Sequence, residues 1–306
     1  MQARINIVIL NWNGFDDTCQ LLDSLFNISY TNIKIIVVDN NSVNNEAEML
    51  RKSYGDKIHI ISCKKNLGFS GGNNVGIKFS LEDKADFVLL LNNDTIVEAD
   101  FLEPLINIFD SSNKIGITGP QINYYNEMDK IWSAGGKISR IRSSGFAKSN
   151  FKETESNKEH KSVSFVSGCC MLIKSEVLTR VGIFDENYFL YNEDTDLCLR
   201  TTRAGYKVLI IPESKIYHKV NSSTEKNLSL LPLYYTTRNR LYLAKKNFHS
   251  TFGLTFLYIT SSMFFKSILW FFAGKRKNIS TVKNAIKDFL ESKMGMTNHN
   301  NYVITR

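Results

Sequence analysis

The sequence lacks the cysteine patterns of disulfide-rich and zinc-binding proteins. Its five cysteines are scattered, with no CxxC pair and no paired metal spacing: Cys19, Cys63, Cys169, Cys170 and Cys198. An odd, scattered set in a chain of 306 residues is typical of buried thiols in a reducing compartment. The N-terminus also lacks a long apolar run, because polar Asn11 ends the first one. We therefore expect a cytoplasmic protein without an export signal.

Acidic residues are scarce in the C-terminal part of the chain. Through Ser214 the sequence has 23 basic and 27 acidic residues, a net charge of 23 − 27 = −4, whereas afterwards it has 15 and 3, a net charge of 15 − 3 = +12. A surface of that charge attracts anions. A nucleic-acid-binding protein would place it beside stacking aromatic side chains. Here it surrounds an apolar segment, so we expect a membrane surface as partner and no nucleic acid.

That apolar segment runs from Thr251 to Gly274 and is interrupted by Lys266 and several Ser and Thr residues. Lysines flank it in "AKKNF" and "GKRKN". An apolar, aromatic helix between lysines is typical of a helix lying in the interface of an anionic leaflet. A core-packed helix or a homodimer contact are the alternatives, and a true membrane span is the least favoured.

The first hundred residues alternate between apolar runs of strand length and helical patterns. The predicted strands are Ile5–Leu10, Ile33–Asp39, Lys57–Ser62 and Asp86–Asn92. Such alternation indicates βαβ units and a mostly parallel sheet covered on both faces, hence an α/β fold. Ligands of such sheets bind at the carboxyl ends of the strands, so we expect their polar end residues to form one rim.

The remainder of the chain is less regular. We expect a mobile loop from Arg140 to Ser162, a helix from about Asp194 to Gly205, and mainly helices after Leu230. The predicted organisation is a catalytic domain over residues 1–225 and a basic, apolar helical region over residues 226–306.

Two polar segments in the first half could bind a nucleotide. Asp39 in "VVDNNS" ends a strand, where a carboxylate can accept hydrogen bonds from a nucleoside, although an Asx turn or a helix cap explains it equally. "NLGFSGGNNVG" (Asn66–Gly76) precedes a helix and allows close backbone approach to negative charge. It matches neither GxGxxG nor the P-loop pattern, and a plain flexible loop is the alternative.

Three acidic or basic sites could carry chemistry. Asp94 in "LLLNNDT" is half of a site for a hard cation, with a turn as the alternative. Glu193, Asp194 and Asp196 crowd the start of a helix, where capping explains one or two of them and a desolvated carboxylate can act as a general base. His218 follows a strand, and a lone histidine is more often structural than a ligand.

In their order along the chain, these segments resemble the family 2 glycosyltransferases, inverting enzymes with the GT-A fold. The resemblance runs from about Ile5 to His218 and includes "VILNWNG", "VVDNNS", "NLGFSGGNN", "LLLNNDT", "YNEDTDLCLR" and "AGYKVLIIPESKIYH". The phrases "NLGFSGGNN" and "YNEDTDLCLR" are most similar to the rhamnosyltransferase-like branch that builds bacterial cell-surface polysaccharide.

The resemblance implies a role for each matching residue. The base of the nucleotide would contact Asp39, and the rest of the donor would be bound by residues of three motifs: Asn11, Asn66, Gly71, Asn74, Asn93 and Asp94. Asp94 and His218 would ligate Mg²⁺ or Mn²⁺, although Asn92 stands where the family's DXD motif has its first aspartate. Asp194 would be the catalytic base, and Glu193 would support acceptor placement.

The implied reaction moves a sugar from a nucleotide-diphosphate donor, dTDP-rhamnose or a UDP-sugar, to a hydroxyl of a glycan or lipid-linked oligosaccharide. The enzyme would lie on the cytoplasmic, inner face of the cell membrane. The alternatives are a UDP-hexose-dependent enzyme of the same fold and a non-catalytic nucleotide-sugar-binding protein. A nucleotidyltransferase is disfavoured, because no glycine-rich, basic loop follows Leu10.

Overall fold

The computed structural model describes residues 2–146, 151–152, 159–220 and 230–297. The predicted boundary near residue 225 therefore lies outside the described residues. The strands are β1 (Ile5–Asn11), β2 (Ile33–Asp39), β3 (His59–Ser62), β4 (Phe87–Asn92), β5 (Thr95–Val97), β6 (Ile115–Tyr124), β7 (Lys130–Ser133), β8 (Lys137–Ser139), β9 (Ser144–Phe146), β10 (Phe151–Lys152), β11 (Lys161–Val163), β12 (Cys170–Lys174) and β13 (Lys207–His218). The helices are α1 (Phe15–Leu25), α2 (Glu46–Tyr54), α3 (Gly68–Glu82), α4 (Leu102–Asn107), α5 (Ser175–Val181), α6 (Glu193–Arg203), α7 (Leu230–Asn247), α8 (Phe252–Phe272) and α9 (Arg276–Leu290).

The first four strands form the parallel part of the sheet, in the order β4-β1-β2-β3. Their carboxyl ends are level, because Asn11 is opposite Asp39 and Leu10 is opposite Asn92. Beyond β4 the sheet is mixed, since β12 runs antiparallel to both β4 and β6. Eleven strands of the described residues join this sheet, and β8 and β9 form a separate hairpin. The expected α/β architecture with a mostly parallel sheet is confirmed.

The sheet is buried on both faces, as the continuous apolar strands predict. Alternate residues of β1 face opposite sides, so that Ile5, Ile7 and Ile9 pack with α1 and α4, whereas Val8 packs with α3, α5 and α6. Each strand of this kind contributes side chains to both cores, which leaves its polar terminal residue at the rim.

The segment from Arg140 to Ser162 contains more regular structure than its composition suggests. β9, β10 and the start of β11 fall inside it, and β11 pairs with β13 far along the chain. The expectation of one irregular loop is therefore wrong for these strands, because long-range pairing stabilises residues that have no apolar periodicity of their own. Residues 147–150 and 153–158 lie outside the described part.

The C-terminal helices pack on one another, and α7 also packs on α6 of the sheet domain. Within the described residues one segment, His249–Phe272, is long and apolar enough to cross a membrane by length and composition, which alone is weak evidence for a span. In its most apolar 18-residue stretch, 17% of the residues are buried. Besides Gly253 and Lys266, the exposed residues of α8 are large and apolar: Leu254, Leu257, Tyr258, Phe264, Phe265, Ile268, Leu269, Phe271 and Phe272. At 3.6 residues per turn they share one side of the helix, called here the α8 apolar face.

Candidate active site

Asn11 organises the strand ends rather than facing solvent. Its Nδ2 lies within hydrogen-bond distance of Oδ1 of Asp39 (3.1 Å), Oγ of Ser42 (3.2 Å) and Oε2 of Glu46 (2.9 Å), and its Oδ1 accepts from Thr18 Oγ1. It is fully buried. Asn11 therefore connects β1 to the end of β2 and the start of α2.

Asp39 is buried in the same network. Its Oδ1 accepts from Asn11 and its Oδ2 accepts from the amide of Ser42 at 3.3 Å, which is the Asx-turn arrangement. Both oxygens can still accept a second hydrogen bond. The turn and a nucleoside contact are thus compatible at this residue.

Asn40, which the sequence analysis did not single out, connects β2 to the start of α3. Its Nδ2 donates to Oδ1 of Asn66 (3.0 Å) and the carbonyl of Gly68 (3.2 Å), and its Oδ1 accepts from the amide of Leu67. Asn66 in turn accepts from the amide of Gly68. Its place directly after Asp39 in "VVDNNS" was the signal available for it.

The glycine-rich segment is helical over most of its length, which corrects the expectation of a turn ahead of the helix. Only Asn66 and Leu67 precede α3. A Cβ on Gly72 would lie 2.3 Å from Leu10, and one on Gly76 would lie 2.3 Å from Val8. These two glycines let α3 pack closely against β1, and a Cβ on Gly71 would meet Leu67 at 2.8 Å. Their spacing of four residues is a helix-packing signal.

Asn74 lies away from the strand ends. Its Oδ1 accepts from the amide of Phe184, and its Nδ2 donates to the carbonyl of Phe184 and to Oε1 of Glu186. With 1% exposure it joins α3 to the segment before α6. Of the predicted donor-binding asparagines, Asn66 lies at the rim and Asn74 does not.

The turn after β4 carries the least satisfied carboxylate of the rim. Oδ1 of Asp94 is buried and has no hydrogen-bond partner among the described residues. It lies 3.1 Å from Nε2 of His218, but the angles are not those of a hydrogen bond. The ring of Trp132 packs edge-on against His218 at 4.5 Å. Two polar groups that approach each other without bonding leave room for a third partner between or beside them.

Asn93, the neighbour of Asp94, anchors this turn to α1. Its Nδ2 donates to the carbonyl of Gly14 at 3.3 Å and to Oγ1 of Thr18 at 3.1 Å. A Cβ on Gly14 would lie 2.4 Å from that nitrogen, so a larger residue there would displace the Asn93 amide. Asn93 thus fixes where Asp94 lies.

The segment Gly168–Cys169 joins the Asp94 turn to the start of α6. The amide of Gly168 donates to Oδ2 of Asp194 at 3.1 Å, while the carbonyl of Cys169 accepts from the amide of Asn92 at 2.9 Å. Burial, and secondarily the charge of Asp94, raises the pKa of the Cys169 thiol and keeps it protonated. Asp94 and Asp194 therefore lie on either side of two consecutive residues.

Asp194 is half-buried, and no cation pairs with it among the described residues. Burial raises its pKa, and the hydrogen bonds from the amides of Gly168 and Thr195 offset part of the effect. Oδ1 accepts the Thr195 amide at 2.6 Å. Such a carboxylate is more basic than a free aspartate, and it is held in one orientation.

The other two acids of this helical turn differ sharply from each other. Glu193 is 4% exposed, and its Oε2 has no hydrogen-bond partner among the described residues. Burial, followed by the charge of Asp194, raises the pKa of Glu193 well above the ordinary value. Asp196 is fully buried and bonded to Nε of Arg200 (2.8 Å), Nζ of Lys246 (3.0 Å) and Nδ2 of Asn247 (2.8 Å). Asp196 is structural, whereas neither Glu193 nor Asp194 forms an ion pair among the described residues, so both carboxyl groups can take part in proton transfer.

Two adjoining cavities lie in front of the rim. Their volumes are about 130 and 250 Å³, and they share Trp12, Asn66, Phe189 and Leu231. Tyr235, Met296 and Thr297 add a wall from the C-terminal region. Sequence reasoning missed Trp12 and this wall. Trp12 could have been found from its position directly after Asn11, at the end of a predicted strand. Tyr235, Met296 and Thr297 follow no strand or turn pattern that would indicate a binding site.

The described residues supply only part of a metal site here. Among the described residues no three His, Cys, Asp or Glu side chains form a group that could hold one. Asp94 and His218 provide one oxygen and one nitrogen, and the unpartnered state of the Asp94 oxygen fits a cation. Hard divalent cations accept such a half-site when phosphate oxygens complete it.

An open, mostly parallel sheet with acids at the end of β4 and at the start of α6 defines the GT-A class of glycosyltransferase fold. Residues 6–182, more than half of the 306 residues, match the model of Glycosyl transferase family 2. The chain therefore belongs to that family and is a glycosyltransferase, as the motif order predicted.

Similar proteins agree with this assignment. The chain is 27% identical over 309 residues to the dTDP-rhamnosyl transferase RfbF of Shigella flexneri, covering 99% of both chains. It is 28% identical over 253 residues to the low-salt glycan biosynthesis hexosyltransferase Agl10 of Haloferax volcanii, covering 82% of this chain and 78% of that one. The resemblance to rhamnosyltransferases of polysaccharide synthesis is thus confirmed.

A solved structure shares the fold. The mannosyltransferase PcManGT from Pyrobaculum calidifontis, in complex with GDP-Man and Mn²⁺, superposes with a TM-score of 0.61 at 12% identity. The match covers 96% of this chain and 88% of that one, so it includes the C-terminal helices. At this identity the similarity shows the fold alone.

Proposed function

We propose that this enzyme is an inverting rhamnosyltransferase that uses dTDP-rhamnose and a hydroxyl of a glycan or lipid-linked acceptor in cell-surface polysaccharide synthesis. The observation that carries the proposal is the environment of Asp194, a half-buried carboxylate of raised pKa next to the Asp94 turn, which pairs with no cation of the described residues. The full-length similarity to a dTDP-rhamnosyl transferase supports the donor. A UDP-hexose donor is the second candidate, which the similarity to a hexosyltransferase supports.

In the proposed reaction Asp194 accepts the proton of the acceptor hydroxyl. The hydroxyl oxygen forms a bond to the anomeric carbon while the bond from that carbon to the diphosphate oxygen breaks, and the electron pair leaves with the nucleotide diphosphate. A single displacement inverts the anomeric centre and needs no nucleophile from the protein. The raised pKa of Asp194 suits proton uptake, and its amide hydrogen bonds keep one orientation.

We assign donor binding to the rim and the cavities in front of it. Asp39 would contact the base, with Asn66 and Trp12 beside the nucleotide. Asp94 and His218 would hold Mg²⁺ or Mn²⁺ together with diphosphate oxygens, and the cation would offset the negative charge that develops on the leaving group. Glu193, buried beside Asp194, would help to place the acceptor.

We further propose that the α8 apolar face lies on the anionic inner leaflet of the cell membrane. Nine large apolar side chains are exposed there, and large contiguous apolar patches commonly mark a protein or membrane contact. Residues 230–297 contain 11 Lys and Arg against 2 acids, a net charge of 11 − 2 = +9. Contact with a second copy would bring two such basic regions together, whereas anionic lipid complements them.

The test is donor turnover by purified enzyme with dTDP-rhamnose, UDP-hexoses and GDP-mannose, in Mn²⁺ and in chelator, using wild type and Asp194→Asn. We expect turnover of dTDP-rhamnose and a loss of about 1,000-fold or more in Asp194→Asn, as for removal of a general base that acts in the transition state. Asp196→Asn is the matched control, because that acid is paired with cations. Wild-type turnover by Asp194→Asn would remove the proposed base.

A further inference from the structure

The turn that leads into α6 has an unusual backbone. Phe189, Tyr191 and Asn192 have φ angles of +63°, +70° and +76°, the left-handed region that aromatic residues rarely adopt. The next two residues are Glu193 and Asp194. The direction in which Asp194 enters the site therefore depends on a turn that is unfavourable by itself and must be held by its surroundings.

Asn239 of α7 holds three carbonyl groups of this turn. Its Nδ2 lies 2.9 Å from the oxygen of Tyr188, 2.7 Å from that of Leu190 and 2.9 Å from that of Tyr191. Asn239 is fully buried. The two hydrogens of this amide group are shared among three converging carbonyls, so Asn239 stabilises this particular backbone path.

Arg238 completes the arrangement. It is fully buried, its Nε donates to Oδ1 of Asn239 at 3.1 Å, and its Nη2 lies 3.2 Å from the carbonyl of Tyr188. Its Nη1 donates to the carbonyl of Gly295 at 2.8 Å, and the guanidinium stacks 4.9 Å from the ring centre of Tyr235. Within the described part of the chain no carboxylate pairs with it. A buried cation whose hydrogen bonds go to carbonyls and to a neighbouring amide orients backbone rather than balancing charge.

The opposite side of the turn is held by α3. The amide of Ser70 donates to the carbonyl of Phe189 at 3.2 Å, and a Cβ on Gly68 would lie 2.4 Å from that oxygen. The turn is thus enclosed between the start of α3, from the sheet domain, and α7, from the C-terminal region.

We propose that Arg238 and Asn239 are positioning residues for glycosyl transfer, which fix the backbone of residues 187–192 so that Asp194 meets the acceptor hydroxyl. The inference rests on the proposed role of Asp194 as general base. It makes α7 a part of the active site, in addition to any contact of the neighbouring α8 with lipid.

The test compares kcat, donor KM and Mn²⁺-dependent binding of the nucleoside diphosphate in wild type, Asn239→Ala and Arg238→Lys. We expect kcat to fall about 100-fold in Asn239→Ala, because small displacements of a catalytic group have effects of that size, with KM and nucleotide affinity within about 3-fold. Arg238→Lys keeps the charge but loses the planar guanidinium that donates several hydrogen bonds at once. The same measurements on this variant test the proposal if Asn239→Ala does not fold.

Tyr234→Phe is the matched control. It removes a buried hydrogen bond of the same helix, from the tyrosine hydroxyl to Asp288, which faces α9 instead of the turn. We expect a lower melting temperature with unchanged kcat, so that loss of stability and loss of positioning are separated.

A double-mutant cycle shows whether Asn239 acts through Asp194. In the Asp194→Asn background, Asn239→Ala should lower the residual rate by less than about 3-fold, because the base it positions is already absent. An equal loss in both backgrounds, or a full kcat in folded Asn239→Ala, would overturn the inference while leaving the role of Asp194 intact. A wild-type rate in Asp194→Asn alone would instead overturn the proposed function, and this inference with it.

Discussion

The sheet domain and the C-terminal helices distribute polar and apolar side chains in opposite ways. In the sheet the apolar residues are inside and the polar ones collect at one rim. In the helices α7 buries Arg238 and Asn239, while α8 exposes nine large apolar side chains. The difference follows from what each surface faces: α7 faces carbonyl groups of the turn before α6, and the α8 apolar face has no protein partner in the described residues. The sheet rim and the α8 apolar face should therefore be separable in function, whereas α7 belongs with the active site.

The largest expected effect tests the sheet rim. Asp94→Ala should lower turnover about 1,000-fold and weaken Mn²⁺-dependent nucleotide binding, because the orphaned oxygen beside His218 is lost as a ligand. Vesicle binding should be unchanged. Turnover at several Mn²⁺ concentrations and calorimetric titration measure both effects, with exposed Asp110→Ala as control. Full activity in chelator would contradict a metal role for Asp94.

Substitutions on the α8 apolar face test the C-terminal helices. Phe265 and Leu269 are 65% and 69% exposed. Replacing both by Asp should weaken binding to phosphatidylglycerol vesicles about 100-fold, because two apolar side chains that would enter the lipid are lost. Turnover of a water-soluble acceptor should be unchanged. Met49→Asp with Met128→Asp changes the charge equally at exposed residues elsewhere. If sedimentation shows a dimer that this variant disrupts, while vesicle binding is unaffected, the face is a dimer contact.

Most of the sheet domain could be predicted from the sequence because its signals are local. The runs at Ile5 and Ile33 are continuous, and each ends in a polar residue, so strand order along the chain, parallel pairing and the rim follow. The glycines of "NLGFSGGNNVG" were misplaced, because Gly72 and Gly76 serve helix packing against β1, which their composition does not reveal.

The contribution of α7 could not be predicted, for a different reason. "TTRNRLYLAKKN" combines aromatic residues with a helical basic face, and only the fold reveals that Arg238 and Asn239 point at carbonyls some fifty residues earlier. Likewise, three acids in four residues look alike in sequence. The cations that make Asp196 structural lie on α6 and α7, and within the described ranges Glu193 has no such partner.

The smallest expected effect lies at the junction of the two regions and concerns stability. The pKa of Glu193 is raised in the fold by burial and by neighbouring acids, so the folded state binds its proton more tightly than the unfolded state does. The contribution of Glu193 to folding stability is then greatest below the unfolded pKa of about 4.3, and it is lost as the pH rises toward the folded value. Glu193→Gln removes this dependence, and we expect it to stabilise the protein by about 1 kcal/mol at pH 7 and not at pH 4.

Urea unfolding of Glu193→Gln and wild type at both pH values measures this difference, and turnover should fall as stability rises. Asp196→Asn is the control of opposite sign, because Arg200 and Lys246 lose their buried partner and the variant should be less stable at pH 7. Equal stability of wild type and Glu193→Gln at pH 7 would mean that Glu193 is satisfied in the fold. It would then belong with Asp196 to the structural contacts between the sheet domain and α7, instead of with Asp194 to the acceptor site.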